Sequence, residues 1–245
     1  MSTVACPLAF DKEQHVYRLN GAVVPSVTQV LRAAGYVDFY RDLTEKIAEG
    51  LLSPADGVYA LVQRGQRLLA ARERGSRVHS MMHFLLEDDL DNESIADEDR
   101  GYLESGKKYL DAYVKEMFRA ECRVWSLRHG CAGTMDLLGV HADGGVSVFD
   151  WKTGNPEDVS ADLQLAAYLG FALEMATADR ELGDELRRTG PVVKRRSVRL
   201  YRDGHIAKET LYTDPTDFSK FLGALSLVHD QGRRPSPISG WDDER

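Results

Sequence analysis

Apolar residues alternate through HVYRL and AVV on either side of Asn20-Gly21, which reads as a tight hairpin turn, and a helix then opens near Pro25-Ser26. The period lengthens to that of helices over 40–50, 54–62 and 64–87, with Ser53 as N-cap and Pro54 at the first position of the second. The spacing of Tyr102, Tyr109, Tyr113 and Met117 predicts a further helix over 97–121. ECRVWSL, GTMDLLGV and VSVFDWK then read as three successive strands. Residues 160–176 read as a helix with Ser160 as N-cap, 196–212 as a hairpin turning at Asp203-Gly204, and 214–230 as a closing helix before a loose tail, PSPISGWDDER. No internal repeat occurs, and no linker is long enough to separate domains. The pattern predicts one α/β domain over 1–245: a mostly helical portion (15–120), a sheet core (121–212), and a closing helix with its tail (213–245).

Composition narrows the class. Hydrophobic residues at 43% and charged residues at 29% describe an ordinary globular protein. No run approaches the length of a membrane span, and MSTVACPLAF lacks the basic region and apolar core of a signal peptide. Cys6, Cys122 and Cys131 show no CxxC spacing, which points to reduced, cytoplasmic thiols and away from a zinc site or a four-cysteine iron–sulfur cluster. No GxxxxGK[ST] occurs, so no ATP site is expected. The net charge of −8 gives no overall footprint of a nucleic-acid binder. Its distribution is uneven, however: 64–77 and 187–202 are strongly basic, while 86–99 is strongly acidic. The basic runs fit solvated helix faces, or a pair of clusters that steer a phosphate backbone toward a site.

The chemistry gathers in VSVFDWK. Asp150 and Lys152 share one strand face with Val148, while Phe149 and Trp151 take the other. The charged pair is either a surface salt bridge or half of a site. If HADGG (141–145) is a hairpin loop, Val140 faces Val146, Leu138 faces Val148, and Asp136 faces Asp150. Opposed residues have Cβ atoms about 4.5–5.5 Å apart, so two carboxylates there repel unless something neutralises them. A divalent metal such as Mg²⁺ resolves the conflict, since it favours hard oxygen ligands and phosphate. Lys152 beside it is then placed to orient or deprotonate a water.

Gly133 and Asp136 followed by Asp150-x-Lys152, with Gln164 and Tyr168 in QLAAY and Gly75 and His79 in RGSRVH, resemble the PD-(D/E)XK nuclease superfamily and its RecB-like exonuclease branch. PSVTQVL (25–31) is similar to a segment of phage exonucleases and of the mitochondrial genome-maintenance exonuclease. Met135 stands where the superfamily's name has proline. The resemblance implies a restriction-endonuclease-like core, a central mixed sheet flanked by helices. It also implies an Mg²⁺- or Mn²⁺-dependent deoxyribonuclease, an exonuclease on single strands or DNA ends in recombination, repair or phage DNA processing. An endonuclease or junction resolvase with the same centre, or a module of this fold that binds without cutting, stays open.

By the same resemblance, Asp136, Asp150 and the carbonyl of Trp151 hold the metal with His79, and Glu121 matches an acid some relatives use there. Gln164 and Tyr168 orient Lys152 or the strand. The alternative for His79 is a core histidine of an amphipathic helix, with His83 one turn on, and for Tyr168 a core tyrosine. Ser26 and Thr28 read as phosphate contacts at a helix start or simply as caps. Arg74, Arg77, Lys194, Arg195 and Arg196 are the expected backbone contacts. Tyr36, Phe39 and Tyr40 read as core residues or as base-stacking rings. The expected partners are DNA and recombination or replication proteins, with no membrane, in the cytoplasm of a bacterium or of a phage-infected host.

Overall fold

The computed structural model describes residues 6–36, 46, 48–51, 53–154 and 160–233. The expected helix over 40–50, Phe39, Tyr40 and the tail fall largely or wholly outside them. The first hairpin forms as expected, from β2 (Val16–Leu19) and β3 (Ala22–Val24), with Asn20 and Gly21 at φ 49° and 83° as a two-residue primed turn requires. It belongs to a three-stranded antiparallel sheet, because β1 (Leu8–Asp11) pairs with β2. Helix α1 (Val27–Ala33) starts at a capping box in which Ser26 and Gln29 satisfy each other's backbone N–H.

Two corrections concern helix ends. The expected helices 54–62 and 64–87 are one helix, α2 (Pro54–Leu86), entered through Ser53. No cap or proline separates the halves, and Gly65 alone does not break a helix. The helix predicted over 97–121 ends early: α3 is Asp97–Tyr113, and β4 (Val114–Ser126) follows at once. Met117, placed on the helix by its spacing, is a half-exposed strand residue.

The main sheet has the order β4-β5-β6-β7-β8, with β5 (Cys131–His141), β6 (Val146–Lys152), β7 (Lys194–Arg199) and β8 (Lys208–Tyr212). β6 and β7 are parallel and all other pairs antiparallel, so the sheet is mixed. The parallel pair is joined through α4 (Ala161–Met175) and a short α5 (Arg180–Leu186) that the periodicity did not single out. The chain closes on α6 (Asp217–Arg233). Val146 and Val148 pack with α1, α4 and α6 on one face, whereas Leu137, Phe149, Trp151 and Val198 pack with α2 and α3 on the other. Full burial of side chains this large stabilises the fold by about 1.5–3 kcal/mol each. Phe149 and Trp151 thus anchor β6 from behind while Asp150 and Lys152 look forward. Among the described residues, no helix is long and apolar enough to cross a membrane.

Of the basic residues on β7 expected to contact a backbone, Arg195 and Arg196 are buried and engaged inside the fold. Arg195 donates to the carbonyls of Asp162 and Asp214 and pairs with Asp217 at 2.9 Å, both side chains buried. Arg196 bonds Ser147 and pairs with Asp143 and Glu209. Lys194 pairs with Asp143 at 2.6 Å. A sheet interior that holds a guanidinium must satisfy it, and these acids do so. Asp217→Ala leaves Arg195 as an uncompensated buried charge and should cost about 3–5 kcal/mol in denaturant unfolding. A loss below about 1 kcal/mol would show that the pair is dispensable.

Candidate active site

β5 and β6 are paired from Val140↔Val146 and Leu138↔Val148 to Leu137↔Phe149, the register expected from the hairpin. The ladder stops there, one step before Asp136 would face Asp150. Asp136 Oδ2 instead accepts the Trp151 backbone N–H at 2.7 Å. The pleat also slips: Met135 packs on the α4 side and Leu137 on the α2 side, although residues two apart in a regular strand share a face. On the other flank, Ala120↔Leu137 and Cys122↔Met135 set Glu121 opposite Asp136. Glu121 has φ +46°, a conformation that costs an L-residue about 1–3 kcal/mol and gathers at functional sites. Three carboxylates therefore stand in a row across β4, β5 and β6.

The row meets two helices. From α2, His79 Nδ1 lies 3.3 Å from Asp136 Oδ2. From α4, Gln164 Oε1 accepts a hydrogen bond from Lys152 Nζ at 2.9 Å, and Gln164 Nε2 donates to Tyr168 Oη at 2.8 Å. Four residues apart, Gln164 and Tyr168 share one face of the helix. Lys152 Nζ also forms an ion pair with Asp150 Oδ2 at 2.8 Å. All these groups line one cleft of about 860 Å³.

The electrostatics are those of crowded acids. Burial, reinforced by Asp136, pushes Glu121 up to about 7. Burial also raises Asp150, against the pull of Lys152. Burial alone would lower His79, but Asp136 more than offsets it and lifts the imidazole to about 9. His79, Glu121 and Asp136 each offer a ligand atom within 4.8 Å of the others. The set fits a divalent cation: two carboxylate oxygens and an imidazole nitrogen converge, the donor types such an ion takes. The Lys152 carbonyl accepts from Leu200 on the β7 side, so the Trp151 carbonyl is directed to the other side, toward Asp136.

The remaining expected residues divide. Ser26 and Thr28 line the cleft, with Ser26 buried as the α1 cap and bonded to Thr28. Arg74 and Arg77 lie off the stripe of α2 that faces the cleft, and Arg77 holds Glu98 and Asp99 at the start of α3. His83 faces Glu87 at 3.4 Å. Tyr36 is 40% exposed and outside both hydrophobic clusters. The cleft's own cations include Arg72 and Arg123, which the sequence pattern did not separate from other arginines. Missed too was β1, which pairs with β2 and with it walls the cleft through Phe10 and Tyr17.

Gly133 explains the fit of α4 over the site. A Cβ there would lie 2.5 Å from the buried Tyr168 ring and 3.3 Å from Val27. Gly133→Ala should therefore destabilise by about 1–3 kcal/mol and displace Tyr168, loosening the Gln164–Lys152 bond. Unfolding and the Tyr168 ring shifts in NMR spectra measure this; unchanged spectra would show that the close approach does not constrain the site.

The family model for the PD-(D/E)XK nuclease superfamily matches residues 57–234. No curated protein matches the chain.

Proposed function

The chain belongs to the PD-(D/E)XK nuclease superfamily, and from that premise we propose that it is a divalent-metal-dependent deoxyribonuclease acting as an exonuclease on single strands or DNA ends. The observation that carries the reading is the convergence of Asp136, Asp150 and Lys152 where β5 and β6 diverge, with Lys152 Nζ held between Asp150 and Gln164. The hydrogen-bonded Gln164–Tyr168 pair supports the RecB-like branch, as does His79 across from Asp136. Both hydrophobic clusters draw on distant stretches of the chain, which supports one nuclease domain.

Asp136, Asp150, Glu121 and His79, with the Trp151 carbonyl, would hold Mg²⁺ or Mn²⁺. Such an ion supplies Lewis-acid stabilisation of the phosphoryl oxygens and lowers the pKa of a water. The protein's own contribution is positioning. Gln164 fixes the Lys152 ammonium, which orients the attacking water and donates to the phosphate as charge builds there. Asp136 is locked by the Trp151 N–H, so its second oxygen is free to face the ligand. The buried Tyr168 ring keeps Gln164 in one rotamer.

End-labelled single- and double-stranded DNA, with Mg²⁺, Mn²⁺ or EDTA, tests this directly. The wild type should cut only with metal, and Lys152→Ala should slow cutting about 10²–10⁴-fold while retaining DNA binding. Linear substrates should be degraded and circular ones left intact. Cutting that persists in Lys152→Ala would overturn the assigned mechanism, and cleavage of circles would make the enzyme an endonuclease.

A further inference from the structure

One wall of the cleft comes from outside the sheet that carries the acids. Phe10 on β1 and Tyr17 on β2 are cross-strand partners with ring centroids 4.5 Å apart. His15, in the turn between them at φ 53°, meets both rings edge-on at 5.2 and 5.9 Å. Neither hydrophobic core cluster includes any of these three rings, and of the three only Tyr17 is fully buried. Tyr17 is buried beneath, Phe10 is half-buried and His15 is exposed, and all three line the cleft.

The rings are tied to the acid-bearing strands. Tyr17 Oη shares a 2.8 Å hydrogen bond with Thr134 Oγ1, two residues before Asp136. The Arg123 guanidinium, two residues after Glu121, lies over the Phe10 ring, 5.1 Å from its centroid. Arg72 of α2 lines the same cleft beside His15; partial burial, then this neighbouring charge, lowers the His15 pKa. Acids thus form the floor, and aromatic faces with arginines form the rim.

We propose that His15 and the Arg123 guanidinium, itself stacked on Phe10, are a platform for an unpaired base beside the scissile phosphate, with Arg72 holding the adjoining backbone. The substrate class that fits is a single strand, because a paired base keeps its faces within the duplex stack, whereas an unpaired one can lie on a ring. The inference rests on the nuclease reading for the position of the scissile phosphate. It goes beyond that reading in naming what selects the strand.

Binding of fluorescent oligodeoxynucleotides to the full chain in EDTA tests the platform apart from cutting. Wild type should prefer a single strand to a blunt duplex. Phe10→Leu, which keeps an apolar side chain on β1, should weaken single-strand affinity about tenfold and leave duplex affinity unchanged. Phe10→Trp should restore it. His15→Ala, in an exposed turn, should weaken it in the same sense without disturbing the fold. Equal losses on both substrates, no loss in either variant, or no single-strand preference in wild type would overturn the proposal. Single-strand binding that follows this pattern without any cutting in Mg²⁺ or Mn²⁺ would refute the nuclease reading and leave the platform standing. Wild-type affinity and cutting in Phe10→Leu would do the reverse.

Discussion

Where β5 and β6 stop exchanging backbone hydrogen bonds, the Trp151 N–H loses its strand partner and Asp136 Oδ2 takes it. That bond ends the ladder, opens the two strands, and fixes a carboxylate at the opening. Pairing continued by one more step would set Asp136 flat against Asp150, closing the site with two like charges inside it. The fold meets the repulsion by turning Asp136 sideways onto a backbone donor, by facing it with His79, and by setting Lys152 against Asp150. These cations relieve the crowding incompletely, as the raised Glu121 and Asp150 indicate. A carboxylate row that burial and mutual repulsion keep under strain is poised for a cation.

Much of this was legible because it rests on local rules. The Asn20-Gly21 turn, the Ser53-Pro54 helix start, and the register of the central hairpin follow from turn chemistry and from strand alternation. Gln164 and Tyr168 followed from helical spacing with the family's motif order. What was not legible depends on tertiary context. Tyr113 and Met117 continue the α3 spacing, yet the chain leaves the helix at Val114 and passes two irregularities in the β4–β5 pairing, which no period records. Glu121 gains its place from a positive φ, a conformation forced by neighbours. Asp136 follows neither face of its strand, so alternation alone aimed it at Asp150 when it turns to Trp151.

Charge was the least legible property. Arg195 and Arg196 look like a phosphate-binding run, yet each is buried against acids far along the chain. Arg72, one of five arginines in the basic run 64–77, and Arg123, outside either run, are among the cations that line the cleft. A net charge of −8 then coexists with cationic walls, because position rather than sum decides what the cleft attracts.

Thermal unfolding of the wild type and Asp150→Asn, each in EDTA and in Mn²⁺, tests the central claim that the acid row is strained until a cation fills it. Asp150→Asn should be at least as stable as wild type in EDTA, since it removes a buried like charge. Mn²⁺ should stabilise wild type, by about 2.7 kcal/mol at a hundredfold excess over Kd, and the variant far less. No Mn²⁺ effect on wild type, or an equal gain in the variant, would contradict the account.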